Sequence, residues 1–351
     1  MTFAAARAQF PLLERIAYLN AGTFGPLARA TVDALQAQHR RELEEGRRAR
    51  PYFEELLAVR DEARARLAAL VGVEAEHVAL TTSTTDAAAV VVAGLDLGPG
   101  DEVVTTAEEH FGLLGALHAS PARVVVAAAD PERLLAAVTP RTRLLAFSQV
   151  LWTTGRALPA RELREATGLP VLVDGAQSVG AIPVDATGID FLTVSCQKWL
   201  CGPDATGALV VADPERLRVA RPTTFGRTAH EPDGSFAPRA GAPRFDTGPV
   251  PLPSLRGLLA ALEAAPAWRF DGAARAARRC RELLAPRCAV EPGDATLVAF
   301  RPEGGDDPAR VARRLDDAGV VVRDIPGTGL LRASCGWWTS DGDLERLVEA
   351  L

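Results

Sequence analysis

Lysine is almost absent from this chain: Lys198 is the only one, although lysine and arginine together number 39. Asparagine is equally scarce, with Asn20 alone, and Met1 is the only methionine. Arginine therefore carries nearly all the positive charge, an exchange that a generic solvent-facing cation tolerates. A position whose amine must shed its proton and attack a carbonyl does not tolerate it, because guanidinium stays protonated in proteins. Other absences exclude whole classes of protein. The longest apolar run, AAAVVVAGL over Ala87–Leu95, is about half of the roughly 20 residues a membrane span needs. The opening stretch, MTFAAARAQFPLLER, has neither a basic region nor a long apolar one, so no secretory signal is expected. Five cysteines, without CxxC or CxxH spacing, offer neither a disulfide framework nor a zinc site. A formal charge of -6 without a basic stripe argues against a nucleic-acid footprint. The expectation is a cytoplasmic protein that binds no metal, no nucleic acid and no membrane.

What is present is a core. A chain of 351 residues with 48% hydrophobic residues can fill two domains or one large α/β domain. Short β-rich runs recur at Val78–Ser83, Glu102–Ala107, Arg123–Ala129, Leu144–Gln149, Val171–Ala176, Phe191–Cys196 and Gly207–Ala212. The inner runs lack period-two alternation, which suits strands buried on both faces of a mostly parallel sheet. Helices are expected at Arg29–Glu45, Tyr52–Leu70, Asp86–Leu95 and Pro131–Ala137. Beyond Pro253 come helices Ser254–Pro266 and Asp271–Pro286, then a strand Thr296–Pro302. A helix Asp307–Ala318, strands Val320–Ile325 and Leu330–Cys335, and a final helix Ser340–Leu351 complete the chain. The expected division is a large domain over 1–253 and a smaller α+β domain over 254–351. The Gly- and Pro-rich stretch Gly226–Pro253 reads as the loop between them.

The chemistry concentrates in VLVDGAQSVGAIPVDATGIDFLTVSCQKWLCGPDATG, Val171–Gly207. One buried strand ends in Asp174, with Gln177 a short turn later; the next ends in Ser195, with Lys198 on the following loop. Open parallel sheets bind ligands outside the carboxyl ends of their strands, so Asp174 and Lys198 should face one crevice. That is the layout a pyridoxal 5′-phosphate (PLP) site needs: a lysine for a Schiff base and a carboxylate against the pyridine nitrogen.

These residues resemble the lysine region of the class V aminotransferase family, within the fold-type I PLP enzymes. The likeness extends over nearly the whole chain. YLNAGTFGPL (Tyr18–Leu27), LTTSTTDAA (Leu80–Ala88) and EEHFG (Glu108–Gly112) are similar to the family's entry, phosphate-loop and ring-stacking motifs. RFDTGP (Arg244–Pro249) and VVVRDIPGTGLLRAS (Val320–Ser334) are similar to its partner-subunit and carboxylate-binding segments. Within the family the chain resembles the cystine C–S lyases and isopenicillin-epimerase-like members. Trp152 in SQVLWTTGRALP stands where many relatives have asparagine, and Arg323 and Arg332 lie nine residues apart, as in those lyases.

The resemblance implies roles. Lys198 would hold PLP and shuttle the Cα proton; Asp174 would pair with the ring nitrogen, His110 stack on the ring, and Gln177 bond its hydroxyl oxygen. Thr84 and Thr85, beside a helix N-terminus, and Ser195 would bind the phosphate. Trp152 would line the pocket or belong to the core, and Thr247 or a backbone group would stand in for the usual phosphate-reaching threonine, replaced here by Pro249. Arg332 is the expected clamp on the substrate carboxylate, with Arg323 the second candidate. Asn20 and Gly22 would lie near the substrate, with a turn role the rival reading for Asn20, and Arg227, at a position aromatic in the lyases, would meet a second anionic group or alter specificity. Gln197 precedes the lysine where many relatives have histidine, and GPDATG departs from a glycine-rich turn. A desulfurase of this family needs a cysteine between its last strands, and Arg323–Arg332 has none. The implied activity is β-elimination of sulfur from cysteine, cystine or an S-substituted cysteine by a homodimer with a shared site. Epimerase, aminotransferase or kynureninase-like outcomes share the same carbanion. A PLP-fold protein that binds without turnover is the non-enzymatic alternative.

Overall fold

The structure is a computed structural model that describes residues 1–351, except the side chains of Ala49 and Glu303. The N-terminal segment opens with helix α1 (Phe3–Arg7) and strand β1 (Ala17–Tyr18), followed by the long helices α2 (Arg29–Glu45) and α3 (Ala49–Leu70). The large sheet is then laid down as β2 (Val78–Thr81), β3 (Glu102–Thr106), β4 (Arg123–Ala127), β5 (Thr142–Ser148), β6 (Val171–Asp174), β7 (Phe191–Ser195) and β8 (Gly207–Val211). Between these strands come α4 (Thr84–Gly94), α5 (Phe111–His118), α6 (Pro131–Ala136) and α7 (Ala160–Thr167). A hairpin, β9 (Arg227–His230) and β10 (Phe236–Pro238), leads to α8 (Leu252–Ala264) and α9 (Arg269–Leu284). The chain closes with β11 (Ala289–Val290), β12 (Leu297–Arg301), α10 (Pro308–Asp317), β13 (Val320–Val321), β14 (Arg323–Ile325), β15 (Leu330–Ser334) and α11 (Asp341–Ala350).

All seven expected β-runs of the first half form one seven-stranded sheet in the order β2-β8-β7-β6-β5-β3-β4. Only β8 runs against its neighbours; β7-β6-β5-β3-β4 are mutually parallel. The missing alternation in the sequence has a direct cause, since helices cover both faces. Leu145 and Phe147 of β5 and Val171 and Val173 of β6 pack under α3, α6, α7 and α8. Leu144, Ala146 and Leu172 pack on the other face under α4 and α5. Each such side chain withdrawn from water contributes about 1.5–3 kcal/mol, so the sheet's carboxyl edge rests on a rigid base.

Beyond α8 the chain forms a four-stranded antiparallel sheet, β11-β12-β15-β14, backed by α9, α10 and α11. The N-terminal segment joins this unit. Strand β1 pairs parallel with β13, Asn20 bridges to Ser334, and Arg7 holds Asp343 with two bonds of 2.6 and 3.0 Å. Two expectations need correction. The stretch Gly226–Pro253 is no plain loop, because Arg227–His230 and Phe236–Pro238 pair across a turn at Asp233–Gly234. The single strand expected over Val320–Ile325 divides in two, since Val320–Val321 pair with β1 while Arg323–Ile325 pair with β15.

Candidate active site

The carboxyl ends of β2, β3, β5, β6 and β7 open onto one cavity of about 230 Å³. Gly22, Thr23 and Phe24 enter its wall from the N-terminal segment, and Ser83, Thr84 and Thr85 from the start of α4. His110, Trp152, Gln177, Ser195, Gln197 and Lys198 follow the strand ends, and Arg323 and Arg332 reach in from the C-terminal sheet. This edge is where parallel sheets present loops to ligands.

Lys198 lies three residues past β7, half-buried in a turn held from outside. Gly25 N donates to Gln197 O at 2.8 Å, and Ser195 Oγ donates to Gln197 Oε1 at 2.8 Å. A β-carbon on Gly25 would fall 1.9 Å from Lys198 O, so only glycine lets the N-terminal segment lie on this turn. Burial lowers the Lys198 amine to about 8; Asp174 opposes that shift and Arg332 adds to it. Asp174 is the buried last residue of β6, where Oδ1 accepts from Ala176 N at 2.8 Å and from Thr193 Oγ1 at 3.4 Å. It lies behind the lining, close enough to act on both Lys198 and His110.

His110 is the N-cap of α5. Its Nδ1 accepts from Gly112 N at 3.1 Å, which leaves the proton on Nε2. Burial and the Lys198 charge lower its pKa, keeping it neutral at neutral pH, and it meets the Trp152 ring edge-on at 5.5 Å. Gln177 Nε2 donates to Gly22 O at 2.8 Å and its Oε1 accepts from Trp199 Nε1 at 3.0 Å, so one N–H of the amide stays available.

Helix α4 begins at Thr84, two residues earlier than the sequence suggests, because Ser83 is the cap: its Oγ accepts from Asp86 N at 3.1 Å. The backbone N–H groups of Thr84 and Thr85 are therefore unpaired first-turn donors, a cradle for an anion at the positive end of the helix. Gly112 allows α5 to approach it, as a β-carbon there would lie 2.5 Å from Thr85 Oγ1.

Arg332 is 1% exposed in the middle of β15, directly paired with Arg323 on β14. Its Nη1 donates to Trp152 O at 2.5 Å, its Nε has no partner, and no carboxylate answers either arginine among the described residues. Burial and the Arg323 charge lower Arg332 to about 9. The guanidinium is held in place by the absence of a side chain at Gly22, whose β-carbon would lie 2.7 Å from Nη2. Trp152 Nε1 is also buried without a partner.

Besides Asp174, three expected site residues do not line the cavity. Asn20 is a turn residue instead: its Oδ1 accepts from Thr23 Oγ1 at 2.8 Å and its carbonyl from Thr23 N at 2.9 Å, which presents Gly22 to Phe24. Thr247 is buried behind β2 with its N–H on Leu80 O at 3.0 Å, and Arg227 sits half-buried on β9. Sequence reasoning missed Thr23, Phe24 and Ser83, although Ser83 before TTD carries an N-cap signature.

A lysine beyond one strand, a carboxylate ending the next, an anion cradle on a helix and an unpaired arginine opposite define a fold-type I, PLP-dependent enzyme. The chain belongs to the class V aminotransferase family, whose model matches residues 17–329. It is 32% identical to isopenicillin N epimerase of Streptomyces clavuligerus, across 99% of this chain and 96% of that one. It is 29% identical to cysteine desulfurase CsdA of Escherichia coli, across 98% and 96%. Among solved structures it is similar to the cystine C–S lyase C-DES in complex with its product cysteine persulfide. That TM-score is 0.88 at 25% identity, covering 97% of this chain and 98% of that one. A C-DES variant with glycine covalently linked to its PLP cofactor superposes with a TM-score of 0.90 at 24% identity, covering 98% of each chain. The residues present fit PLP. The open N–H pair of Thr84 and Thr85 suits a phosphate, the buried acid Asp174 a protonated ring nitrogen, and the depressed amine of Lys198 an aldehyde.

Proposed function

We propose that the protein is a PLP-dependent C–S lyase that eliminates sulfur from cysteine, cystine or an S-substituted cysteine. The products are pyruvate, ammonia and a thiol or persulfide. Bound PLP supplies an electron sink that makes the substrate's Cα–H acidic. The chain's residues do the rest. Thr84, Thr85 and Ser195 would hold its phosphate, and His110, Trp152 and the free N–H of Gln177 would hold its ring. Arg332 fixes the α-carboxylate so that Lys198 Nζ, poised between free and protonated near pH 8, takes the Cα proton. The Cβ–S bond then breaks, sulfur leaves with the electron pair, and the released three-carbon enamine hydrolyses.

The observation that carries this reading is the pair of guanidiniums, Arg323 and Arg332, lining one cavity with no carboxylate partner. Cystine brings two carboxylates. An enzyme-bound persulfide finds no support, because all five cysteines are buried, none lines the cavity, and Arg323–Arg332 contains none. Cys335 belongs instead to the core behind β15.

Mixing the purified holoprotein with cystine, cysteine and S-substituted cysteines and assaying pyruvate tests the reading. Pyruvate from at least one of them is expected; inverted or transaminated amino acid with no pyruvate overturns it. Epimerisation is the second reading, favoured by the 32% identity to isopenicillin N epimerase. It needs the same proton transfer and no leaving group. The proposal extends to a homodimer with a shared site and to domains divided at 253/254. It also places the protein in the cytoplasm, where cysteines that form no disulfide are at home.

A further inference from the structure

One buried acid beside the cavity has no part in the chemistry above. Glu109, 6% exposed, stands between the end of β3 and the His110 cap of α5. Its carboxyl is wedged against the end of β5. Ser148 N donates to Oε1 and Oε2 at 3.0 Å each, Ser148 Oγ to Oε2 at 2.5 Å, and Thr106 Oγ1 to Oε1 at 2.6 Å. Ser148 is the direct partner of Asp174 across β5 and β6, so Glu109 lies one strand over from the acid assigned to the ring nitrogen.

The charge around Glu109 is one-sided. From β3 it is faced by Thr106 and from β5 by Ser148, both neutral, and from β6 by Asp174, which is an acid. His110, its chain neighbour, turns its Nδ1 to Gly112, and Glu108 turns away to accept from Thr153 Oγ1. Among the described residues no arginine, lysine or histidine pairs with Glu109. Two buried carboxyls on either side of Ser148, with only neutral donors between them, are costly to ionise together. The hydroxyls of Ser148 and Thr106 can rotate to accept from a protonated Glu109, so the cradle fits either form. Burial pushes Glu109 up to about 7, its bonds to Ser148 and Thr106 pull it down, and Asp174 pushes it up again.

We propose that Glu109 is a positioning residue that sets the charge beneath the cofactor: protonated, it leaves Asp174 as the single negative charge there, and ionised, it adds a second one behind it. The inference rests on the proposed pairing of Asp174 with PLP. It predicts that the field on the bound cofactor steps as the pH crosses neutrality, with a negative charge favouring the protonated forms of the cofactor's nitrogens.

Two measurements test it. The visible absorbance of the holoenzyme is followed from about pH 5 to about pH 9 in the wild type, Glu109→Gln and Glu109→Asp. The wild type should show a transition near neutrality that Glu109→Gln lacks and Glu109→Asp restores, displaced by on the order of one pH unit. Superimposable wild-type and Glu109→Gln titrations overturn the proposal. Infrared difference spectra of the full chain before PLP is added supply the second readout. A carboxylic-acid band should disappear across the same pH range in the wild type and be missing in Glu109→Gln; its absence from the wild type also overturns the proposal. Failure of the wild type to bind PLP overturns the reading of the site instead, and the infrared band then decides on Glu109 alone. Should Glu109→Gln fail to fold, the wild-type band and the Glu109→Asp titration decide.

Discussion

Two side chains set the chemistry at the scale of single residues, and both are cations in a place that disfavours charge. With its amine at about 8 instead of 10.5, roughly a tenth of Lys198 is unprotonated at pH 7, against well under a thousandth for an ordinary lysine. The rate at which the cofactor-free chain captures PLP should therefore rise through about pH 8, followed by stopped-flow absorbance; a rise only near the ordinary lysine value would sink the assignment. Asp174 favours the charged amine, so Asp174→Asn should move that midpoint lower still. The sign for stability runs the same way. The folded state binds fewer protons than the unfolded one between the two values, so stability should increase with pH across that window. Arg332 makes the converse case, since its charge meets no carboxylate among the described residues and, on the proposed reading, finds one on the substrate. Arg332→Met should raise KM for the amino acid by about 100-fold, the equivalent of about 3 kcal/mol of charge-assisted bonding. It should leave Tm unchanged or raised, because an uncompensated buried charge goes with it. A Tm that falls with unchanged KM would make Arg332 a structural residue.

At the scale of elements, the site is a meeting of loops held by glycine at close approaches. Gly25 is the tightest, with the lysine turn lying where its β-carbon would be and backbone on the far side, which cannot swing away. Gly25→Ala should cost about 1–3 kcal/mol and lower PLP retention together, read by thermal melting and by the cofactor absorbance per chain. Full retention at wild-type Tm would show that the segment is free to shift. The same geometry explains what could be read in advance. Seven β-runs, the long helices and the order of Thr84, His110, Asp174, Gln177, Ser195 and Lys198 were legible, because strand ends place such residues on one edge whatever their loops do. The division of Val320–Ile325 was not, since the run VVVRDI suits extended backbone throughout and does not reveal that its two ends pair with different strands. The hairpin Arg227–Pro238 hid behind glycine and proline, whose composition marks turns without saying that the flanks pair. Asn20 could be read two ways, because a polar residue beside a glycine suits a ligand contact and a turn equally well. In GPDATG, Ala205 takes the left-handed conformation with φ of 59°, so the turn persists without the glycine the motif would lead one to seek.

For the whole molecule, the cavity lies where the large sheet, the C-terminal sheet and the N-terminal segment meet. Among the described residues, no helix is long and apolar enough to cross a membrane. Near the site, however, Phe24 is 52% exposed and Phe111, next to His110, is 78% exposed, while Leu27 shows 43% of its surface. On the proposed reading these exposed apolar side chains belong to an interaction surface. A second copy of the chain is the occupant that the shared-site reading requires. Sedimentation equilibrium at micromolar concentration should then give twice 37.1 kDa. Phe111→Ser leaves every hydrogen bond of the site in place and removes about 2 kcal/mol of apolar contact if that ring is covered. The variant should dissociate at concentrations where the wild type stays paired and should lose PLP as it does so, since a site completed by two chains opens when they part. A wild type that sediments as one chain while retaining PLP and turning over cystine would show that this opening faces water, and that all the groups needed for the reaction come from a single copy.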